Sequence, residues 1–565
     1  MSTAFVRQLG AESGVQLNPL RDNSEIPAGD NSDQVFGIMM RATRGRIDKP
    51  FAVDRGNVFK KLGNGEQMRL SALNEAWVHV VEALNKGAYQ AIIQRLSTTS
   101  AAIKWLVVAV EMTAGDPEAE PPVAPAPTGD FTYTVMTEDA FEELETPFLF
   151  AVKHLECHND GIQIEFRAES VQDAGLDVAN DKLTLRLRDK DDNLLYEFYG
   201  SLKSDSKDDY GNSNYLPDVA QGQTDAVELQ TGVLGAAAVI AAGSEAYGYD
   251  TNGRQQWAKS GVQVCFSEGG TAYTTQDYMG AREKLQYTQF DYAYISSGGT
   301  QAPALLAQLA QLAFDTNRQL RFDIPGNLSV EAAIAFVNQL NMGASQTAHL
   351  MHAFWAPLKS DDPTGVNPNG YIGAATLNIA YACGRNAQVN AKGFAPKNYP
   401  VAGREWAIQR VKITQTVKLR DQDLNALARA KINPVVYETY TGGGRYVFRD
   451  SLTCALVESS LKKLIAVADM STSIDEAVTR AAKDNLQLPM DMSVKKTKDF
   501  LQTLFEGAEA SKWIVPSSEP EMGGKAFVYD VRPNEVRPYE DMDVTYALRY
   551  DGTNRRTFVT QTLSK

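Results

Sequence analysis

The sequence contains few of the features that mark membrane, secreted or nucleic-acid-binding proteins. A membrane span requires about 20 consecutive apolar residues, and the nearest stretches, Ile103–Val110 and Gly232–Gly243, are short enough for buried strands or helices. The first residues lack a basic segment followed by an apolar run, so no signal peptide is expected. Lys and Arg number 55 against 70 Asp and Glu, a balance that argues against nucleic acid or an anionic membrane as the main partner.

Cysteine is also scarce. The four cysteines, Cys157, Cys265, Cys383 and Cys454, lie far apart and form no CxxC pair. We expect reduced thiols in a protein made in the cytoplasm, with two disulfide bridges as the alternative. Apolar residues make up 43% of the 565 residues, enough for a sizeable core, and at roughly 150 residues per domain the length predicts three to four domains.

The five histidines include one dense group of possible metal ligands. His154, Cys157 and His158 lie in the segment HLECH, whose spacing would place them on one face of a helix. No second ligand cluster lies nearby, so we interpret them as ordinary residues and predict no metal; a cytoplasmic metalloenzyme using this cluster is the alternative. His349 and His352 fall on a predicted strand with their side chains on opposite faces, as expected of core or surface histidines.

Motifs of known catalytic sites are missing. The sequence has no P-loop pattern GxxxxGK[ST], no GxSxG elbow, no HExxH helix and no Rossmann glycine fingerprint. The run Gly442–Gly444 before Arg445 links two predicted strands, where a tight turn is a better interpretation than a phosphate-binding loop. The sequence therefore predicts no catalytic residue, no cofactor and no enzyme.

The order of predicted elements indicates an α+β multi-domain fold. It has a mixed α/β core with βαβ units, a β-rich inserted outer domain, and a C-terminal α+β domain with extended N- and C-terminal arms. The predicted boundaries are an N-terminal arm at 1–33, a middle α/β domain at 34–113 and 273–395, a Pro-rich loop at 114–130, the insert at 131–272, a C-terminal core domain at 396–540 and a C-terminal strand or linker arm at 541–565.

Several local predictions belong to this organisation. Ser329 is expected to cap a helix over Ser329–Leu340. The later predicted elements are helices at Trp406–Ile413, Asp421–Lys431, Ser459–Ala468, Ile474–Asn485 and Val494–Glu506, and strands at Ala526–Val531, Asp543–Tyr550 and Arg556–Leu563. Asp551–Asn554 would turn the last two strands into a hairpin.

The two arms are candidates for β-augmentation, in which a free strand joins the sheet edge of a neighbouring molecule through main-chain bonds. The alternatives are a frayed N-terminus and an ordinary final hairpin within one domain. The residues that we associate with strand exchange are Phe5 and Val6 in the first arm and Val544, Tyr546, Leu548, Phe558 and Val559 in the second.

The order of segments resembles that of the tail sheath proteins of contractile-tailed bacteriophages and related contractile injection machines. QVFGIMMRATRGRIDKPFAVDRGNVFKKLG resembles the family's opening strand, turn and short helix, and NEAWVHVVEALNKGAYQAIIQRL its next helix and strand. KINPVVYETYTGGGRYVFRDSLT resembles its "Ile-Asn" strand, glycine turn and aromatic strand. The resemblance extends from about Gln34 to Lys565. Two departures are Val447-Phe448, where many members carry Trp-Gly, and a longer Pro-rich loop.

The resemblance implies a structural role in the virion. Sheath subunits stack as helical rings around an inner tail tube, exchange strands with neighbours, and contract to drive the tube through the host envelope without hydrolysing a nucleotide. The implied partners are further copies of the chain, the inner tube protein, and the baseplate and tail terminator proteins, with assembly in the host bacterial cytoplasm. Another phage tail or capsid subunit, or a carbohydrate-binding module in the insert, remains an alternative.

Four basic residues of the C-terminal part could face an acidic tube surface, although a solvated helix face is the simpler interpretation. They are Lys462, Lys463, Lys495 and Lys496.

Overall fold

The computed structural model describes residues 32–65, 75–112, 127–168, 182–208, 210–232, 257–365 and 369–562. Most of the predicted N-terminal arm, with Phe5 and Val6, and most of the Pro-rich loop lie outside these ranges. Within them, no helix combines the length and the apolar character needed to cross a bilayer.

The first part of the chain contributes to a large central sheet. Its elements are β1 (Val35–Met40), β2 (Phe51–Val53), α1 (Val58–Leu62), α2 (Glu75–Lys86) and β3 (Gln90–Arg95). Strand β1 is buried on both faces: Phe36 and Ile38 belong to one hydrophobic core, and Val35 and Met39 to the other. A parallel strand covered on both faces requires such a continuous apolar run, so the run VFGIMM predicts this position in the sheet.

Residues 102–267 form a β-rich insert. Its elements are β4 (Ala102–Ile103), β5 (Trp105–Met112), β6 (Pro127–Met136), α3 (Glu138–Glu142), β7 (Phe150–His154), β8 (Ile162–Ala168), β9 (Lys182–Asp189), β10 (Leu194–Ser201), α4 (Leu216–Gln223), β11 (Val227–Thr231), β12 (Ala258–Lys259) and β13 (Phe266–Ser267). Two four-stranded antiparallel sheets, β10-β9-β8-β12 and β11-β7-β5-β6, share one core. Phe150 and Phe166 meet across it with ring centroids 5.1 Å apart, as in a β-sandwich.

After the insert, the chain returns to the central sheet. The elements are α5 (Thr275–Gln286), β14 (Tyr294–Ser296), α6 (Pro303–Thr316), β15 (Gln319–Ile324), α7 (Val330–Leu340), β16 (Met351–Trp355), β17 (Leu358–Ser360), β18 (Gly370–Tyr371), α8 (Ala375–Asn386), β19 (Thr414–Gln415), α9 (Asp421–Arg429), β20 (Ile432–Tyr440) and β21 (Gly443–Phe448). Strands β17, β18 and β19 form a small separate sheet.

The central sheet has eight strands in the order β2-β3-β1-β14-β15-β16-β20-β21. The six inner strands are parallel, and each outermost strand pairs antiparallel with its neighbour. Helices α2 and α8 cover one face, and α5, α6, α7 and α9 cover the other. This arrangement confirms the predicted βαβ units. The sheet also continues past the boundary predicted at 395/396, because β20 and β21 belong to it.

The last part of the chain packs as two helices and a two-stranded sheet. The elements are α10 (Ile465–Asp484), α11 (Met490–Ala510), β22 (Phe527–Pro533) and β23 (Met542–Leu548). Leu501, Phe505 and Trp513 lie in the core that these elements share. The predicted fold class, a mixed α/β multi-domain protein with several sheets, is confirmed.

Two helix predictions in this region are wrong. The segment 406–413 is irregular because tertiary contacts hold it: Arg410 donates to Glu82 and to the carbonyl oxygens of Ile372 and Gly373. The helices predicted over 459–468 and 474–485 are one helix, α10, which a 3-10 turn at Leu461–Lys463 precedes.

The polar side chains between the two predicted helices are accommodated within α10. Thr472 donates its hydroxyl to the carbonyl oxygen of Ala468, and Ser473 to that of Asp469, both over 2.9 Å. Such back-bonding satisfies hydroxyl groups within a helix, where the sequence alone favours a break. The predicted cap at Ser329 is confirmed, since its hydroxyl accepts from the backbone N–H of Ala332.

The predicted final hairpin is wrong as well. Strand β23 pairs with β22, from Phe527 opposite Leu548 to Pro533 opposite Met542. Residues 551–562 contain no strand or helix. The alternation in Asp543–Tyr550 marks a strand correctly, but the partner strand lies before it in the chain and not after it.

Candidate functional site

The two ends of the described body meet at one tryptophan. The ammonium group of the buried residue Lys397 lies 2.7 Å from a carboxylate oxygen of Asp33 and 5.9 Å from the ring centroid of Trp513. The carbonyl oxygen of Trp513 accepts a bond of 3.0 Å from the backbone N–H of Asp551. Asp33 and Asp551, near the two ends of the described chain, therefore lie close to the same point of the body.

Trp513 is itself fixed in the body. Its ring nitrogen donates to the carbonyl oxygen of Ala395 over 2.8 Å, and Phe394 packs edge-on against its ring with centroids 4.9 Å apart. The sequence analysis did not predict that Lys397 and Trp513 join the two ends of the described chain. No local pattern reveals it, because the contact between Asp33 and Lys397 joins residues 364 positions apart.

The sheet of β22 and β23 lies next to this junction and has open edges. Each strand has one strand partner among the described residues, so the outer main-chain edge of each remains without a strand. Val544, Tyr546 and Leu548 are half-buried against the core of α10 and α11, and the Tyr546 hydroxyl donates to Asp475 over 2.6 Å. These three side chains hold β23 against α10 and α11.

The tail after this sheet, residues 551–562, contains no helix or strand and is mostly exposed. Phe558 and Val559 are 86% and 87% exposed, although both are apolar. Arg555 ties the start of the tail to the body, with Nε donating to Asp450 over 2.8 Å. Residues 553–556 line a cavity of about 400 Å³ with Leu464 and neighbouring residues. Residues 557–562 are exposed and include side chains that favour strands, among them Phe558 and Val559.

The four lysines of the tube-contact hypothesis lie on two elements. Lys462 and Lys463 are in the 3-10 turn before α10, where the Lys463 ammonium donates to the carbonyl oxygen of Glu458. Lys495 and Lys496 are exposed on α11.

The segment HLECH is a strand end followed by a turn and not a helix. His154 is the last residue of β7. The ligand atoms of His154, Glu156 and His158 lie within 4.8 Å of one another, whereas the Cys157 thiol donates to the carbonyl oxygen of Leu155 over 3.2 Å. The predicted helical spacing is therefore wrong: the turn brings the two histidines together and replaces Cys157 by Glu156.

The electrostatics of this segment follow from burial. Burial, together with the nearby His154, Arg44 and Arg95, lowers the pKa of His158 well below its usual range. Burial raises the pKa of Cys157 to about 12, which keeps the thiol protonated. Cys157 also has a φ of +48°, a strained value for a residue with a side chain. His158 is thus neutral at neutral pH.

Of the other two histidines near each other in sequence, His352 is fully buried and His349 is half-buried. His349 lies in a 3-10 turn before β16, so the prediction that places it on the strand is wrong; His352 lies on β16 itself. A ring nitrogen of His352 is 3.1 Å from the carbonyl oxygen of His349. Burial and the charge of Arg321 lower the pKa of His352 to about 3.

Two glycine-rich segments have packing or turn roles. Thr441 and Gly442 form the tight turn between β20 and β21, as the sequence predicts, with φ of +100° at Gly442 and +119° at Gly443, the first residue of β21. At the carboxyl end of β14, a Cβ on Gly298 would lie 2.8 Å from the Ile38 side chain and 2.9 Å from that of Ala76. In doubly wound sheets this crevice is where ligands commonly bind; at Gly298, side chains fill it.

Comparisons with known proteins give matches of fold at low sequence identity. No protein-family model and no curated protein matches the chain. Among solved structures, the sheath tail protein Lin1278 from Listeria innocua is similar over 91% of this chain and 94% of its own, with 11% identity and a TM-score of 0.45. A contracted sheath complex of the extracellular contractile injection system PVC matches 50% of this chain and 74% of its own, with 14% identity and a TM-score of 0.39.

A third similar structure is a chain of the anti-feeding prophage baseplate, which matches 54% of this chain and 78% of its own, with 10% identity and a TM-score of 0.38. Tail sheath proteins are thus among the structural neighbours of the chain.

Proposed function

We propose that the chain is a structural subunit of a contractile tail sheath. In this proposal, copies assemble as stacked helical rings around an inner tail tube, exchange strands through their N- and C-terminal arms, and contract to drive the tube through the host cell envelope. The observation that carries the proposal is the junction at Trp513, where Asp33 and Asp551 lie close together next to the two-stranded sheet of β22 and β23.

Strand exchange follows from the complementarity of the tail and the sheet. The tail supplies an extended donor segment, and the outer edge of β22 or β23 supplies an acceptor. Since one copy holds both parts, each tail adds a strand to the sheet of the next copy. Such head-to-tail contacts generate rings or helices. The twelve residues 551–562 span about 40 Å when extended, enough to reach an adjacent body.

Such tethers suit an assembly whose subunits move. Main-chain pairing survives rotation of the bodies. Hydrated interfaces of mixed charge break in the first lattice and form again with new partners in the second. Contraction is then relaxation from a metastable extended lattice to a more stable one, without nucleotide hydrolysis. The N-terminal residues Phe5 and Val6 would contribute a second strand.

The proposed partners are other copies of the chain, the inner tail tube protein, and the baseplate and tail terminator proteins. The assembled protein would be part of a phage tail formed in the host cytoplasm. The exposed lysines Lys495 and Lys496, with Lys462 and Lys463, are the proposed tube contacts, and replacing all four by alanine should weaken binding to an acidic tube. Unchanged tube binding would remove this part of the proposal.

The first experiment is negative-stain electron microscopy of the purified full chain beside a version that ends at Asp551. This truncation removes the tail but keeps β23 and Tyr550, which pairs with Ile514 in the body. Striated hollow tubes from the full chain, lost on truncation, are expected.

A matched pair of point variants separates main-chain pairing from side-chain contact. Val559→Pro removes a backbone donor from the tail, whereas Val559→Ala removes only side-chain atoms. Tubes should be lost or shortened with Val559→Pro and kept with Val559→Ala. Discrete particles from the full chain under several salt conditions would count against self-assembly.

A further inference from the structure

The end of β7 and the turn after it collect three side chains that have the chemistry of metal ligands. His154, Glu156 and His158 each offer one ligand atom, and these atoms all lie within 4.8 Å of one another. His154 Nε2 and Glu156 Oε2 are 3.4 Å apart. Two atoms held tetrahedrally at 2.0–2.1 Å from a zinc ion are about 3.3 Å apart, so the cluster is close to the required size without an ion.

Both histidines are buried, and three of their four ring nitrogens have no hydrogen-bond partner among the described residues. His154 is 2% exposed and His158 is 3% exposed. Among the described residues, neither ring nitrogen of His158 nor Nε2 of His154 has a hydrogen-bond partner. Buried polar atoms are nearly always satisfied, and one ion between the two rings would satisfy a nitrogen of each.

We propose that His154, Glu156 and His158 bind one divalent transition-metal ion. Two imidazole nitrogens and one carboxylate oxygen are a donor set that zinc accepts, with a fourth position left for water. Glu156 and Tyr196 line a cavity of about 800 Å³ between the insert and the central domain. The cavity supplies the water ligand and the path by which an ion enters.

The cationic side chains nearby are engaged with oxygen atoms outside the cluster. Arg44 donates to Asp160 over 2.7 Å and to Asp189 over 3.0 Å. Arg95 donates to the carbonyl oxygen of Cys157 over 2.5 Å. The donors of these two arginines are therefore directed at acceptors outside the cluster.

The position of the site indicates a structural role for the ion. The carbonyl oxygen of Glu156 accepts from the Gly45 N–H over 2.7 Å, and the Asn159 N–H donates to the carbonyl oxygen of Thr43 over 2.9 Å. The turn that carries the ligands is thus the contact between the insert and the central domain. A bound ion fixes this turn to β7 and so fixes how the insert sits on the body, whether or not the chain forms a sheath.

The test is zinc titration of the full chain after dialysis against a chelator, with isothermal calorimetry for stoichiometry and Co²⁺ absorption for geometry. We expect one ion per chain, a higher Tm on zinc addition, and a visible Co²⁺ spectrum typical of four-coordinate nitrogen and oxygen ligands. His158→Gln and Glu156→Gln should each weaken binding by more than about 100-fold. His349→Gln, which alters a histidine outside the cluster, should bind as the unaltered chain does.

Two results would overturn the proposal. The first is the absence of zinc binding at micromolar concentrations by the unaltered chain, a measurement that requires no variant to fold. The second is full binding by Glu156→Gln, whose circular dichroism and monodispersity would be checked against the His349→Gln control. Loss of tube formation with retained zinc binding would affect the sheath proposal alone.

Discussion

Arg385 and Asp469 form a buried ion pair across 2.8 Å, with neither side chain more than 2% exposed. Arg321 approaches the other carboxylate oxygen of Asp469 at 3.3 Å. Because Arg385 lies on α8, Arg321 on β15 and Asp469 on α10, the three charges join the C-terminal helix to the central sheet. Helix α10 is therefore joined to the central sheet by ion pairs as well as by apolar packing.

Replacing Asp469 by asparagine should strongly destabilise this contact. The variant leaves two buried guanidinium groups without a carboxylate, and breaking a buried ion pair costs about 3–5 kcal/mol. Urea unfolding of the unassembled chain, followed by circular dichroism, would measure the change. Asp484→Asn, an exposed position on the same helix, should stay within about 0.5 kcal/mol of the unaltered chain. Equal effects of both variants would contradict the expected role of the buried pair.

The same aspartate predicts a pH dependence. Burial alone would raise the pKa of Asp469, but Arg385 and Arg321 outweigh it and hold the pKa at about 2, below the unfolded value of about 3.9. The carboxylate therefore stabilises the fold fully above about pH 4 and progressively less as pH falls to about 2. The stability difference between Asp469→Asn and the unaltered chain should be constant from about pH 5 to 7 and shrink below about pH 4. A difference that widens on acidification would refute this assignment.

The insert should be removable as a unit. Strands β4 and β13 pair where it begins and ends, with Ile103 opposite Phe266, so an Asn-Gly turn could replace residues 104–265. We propose on this basis that the insert is a separate domain, and expect the remaining body to give a cooperative unfolding transition. Removing residues 182–201 alone should cause aggregation, because it exposes the sandwich core. An unfolded body after the larger excision would show that the insert is required for folding.

The four cysteines should be unreactive in the folded chain. Each is buried, and burial raises each thiol pKa to about 12, so the thiolate needed for alkylation is scarce. Iodoacetamide at about pH 8 should label none of them without denaturant and all four in urea, as counted by mass spectrometry. Labelling of Cys157 or Cys265 in the folded chain would instead support an exposed contact in the insert.

Local sequence patterns predicted much of the fold because they report local physics. The apolar run at Val35–Met40, the cap at Ser329 and the alternation in the insert each reflect one strand or one helix end. The order of these segments also supplied the resemblance to tail sheath proteins, which are among the structural neighbours. The continuity of α10 through Thr472 was missed because hydroxyl back-bonding is invisible to propensity.

The candidate sites were less predictable because they depend on contacts between distant segments. Asp33 and Lys397 come together only when the whole body has folded. The strand that pairs with β23 is β22, which precedes it in the chain, and local patterns do not distinguish this partner from a strand that follows. Glu156 was missed because the HLECH spacing was interpreted as a helix. These five residues instead form the end of a strand and a turn, which bring His154, Glu156 and His158 close together.

The meeting of both arms at Trp513 has a mechanical consequence. If neighbouring subunits pull on the two arms, the load enters near Asp33 and leaves near Asp551, and Lys397 and Trp513 connect these two points. The insert lies outside this connection, whereas β1 begins two residues after Asp33 and carries part of the load into the central sheet. A lattice built from such links could shorten without unfolding the bodies that it carries.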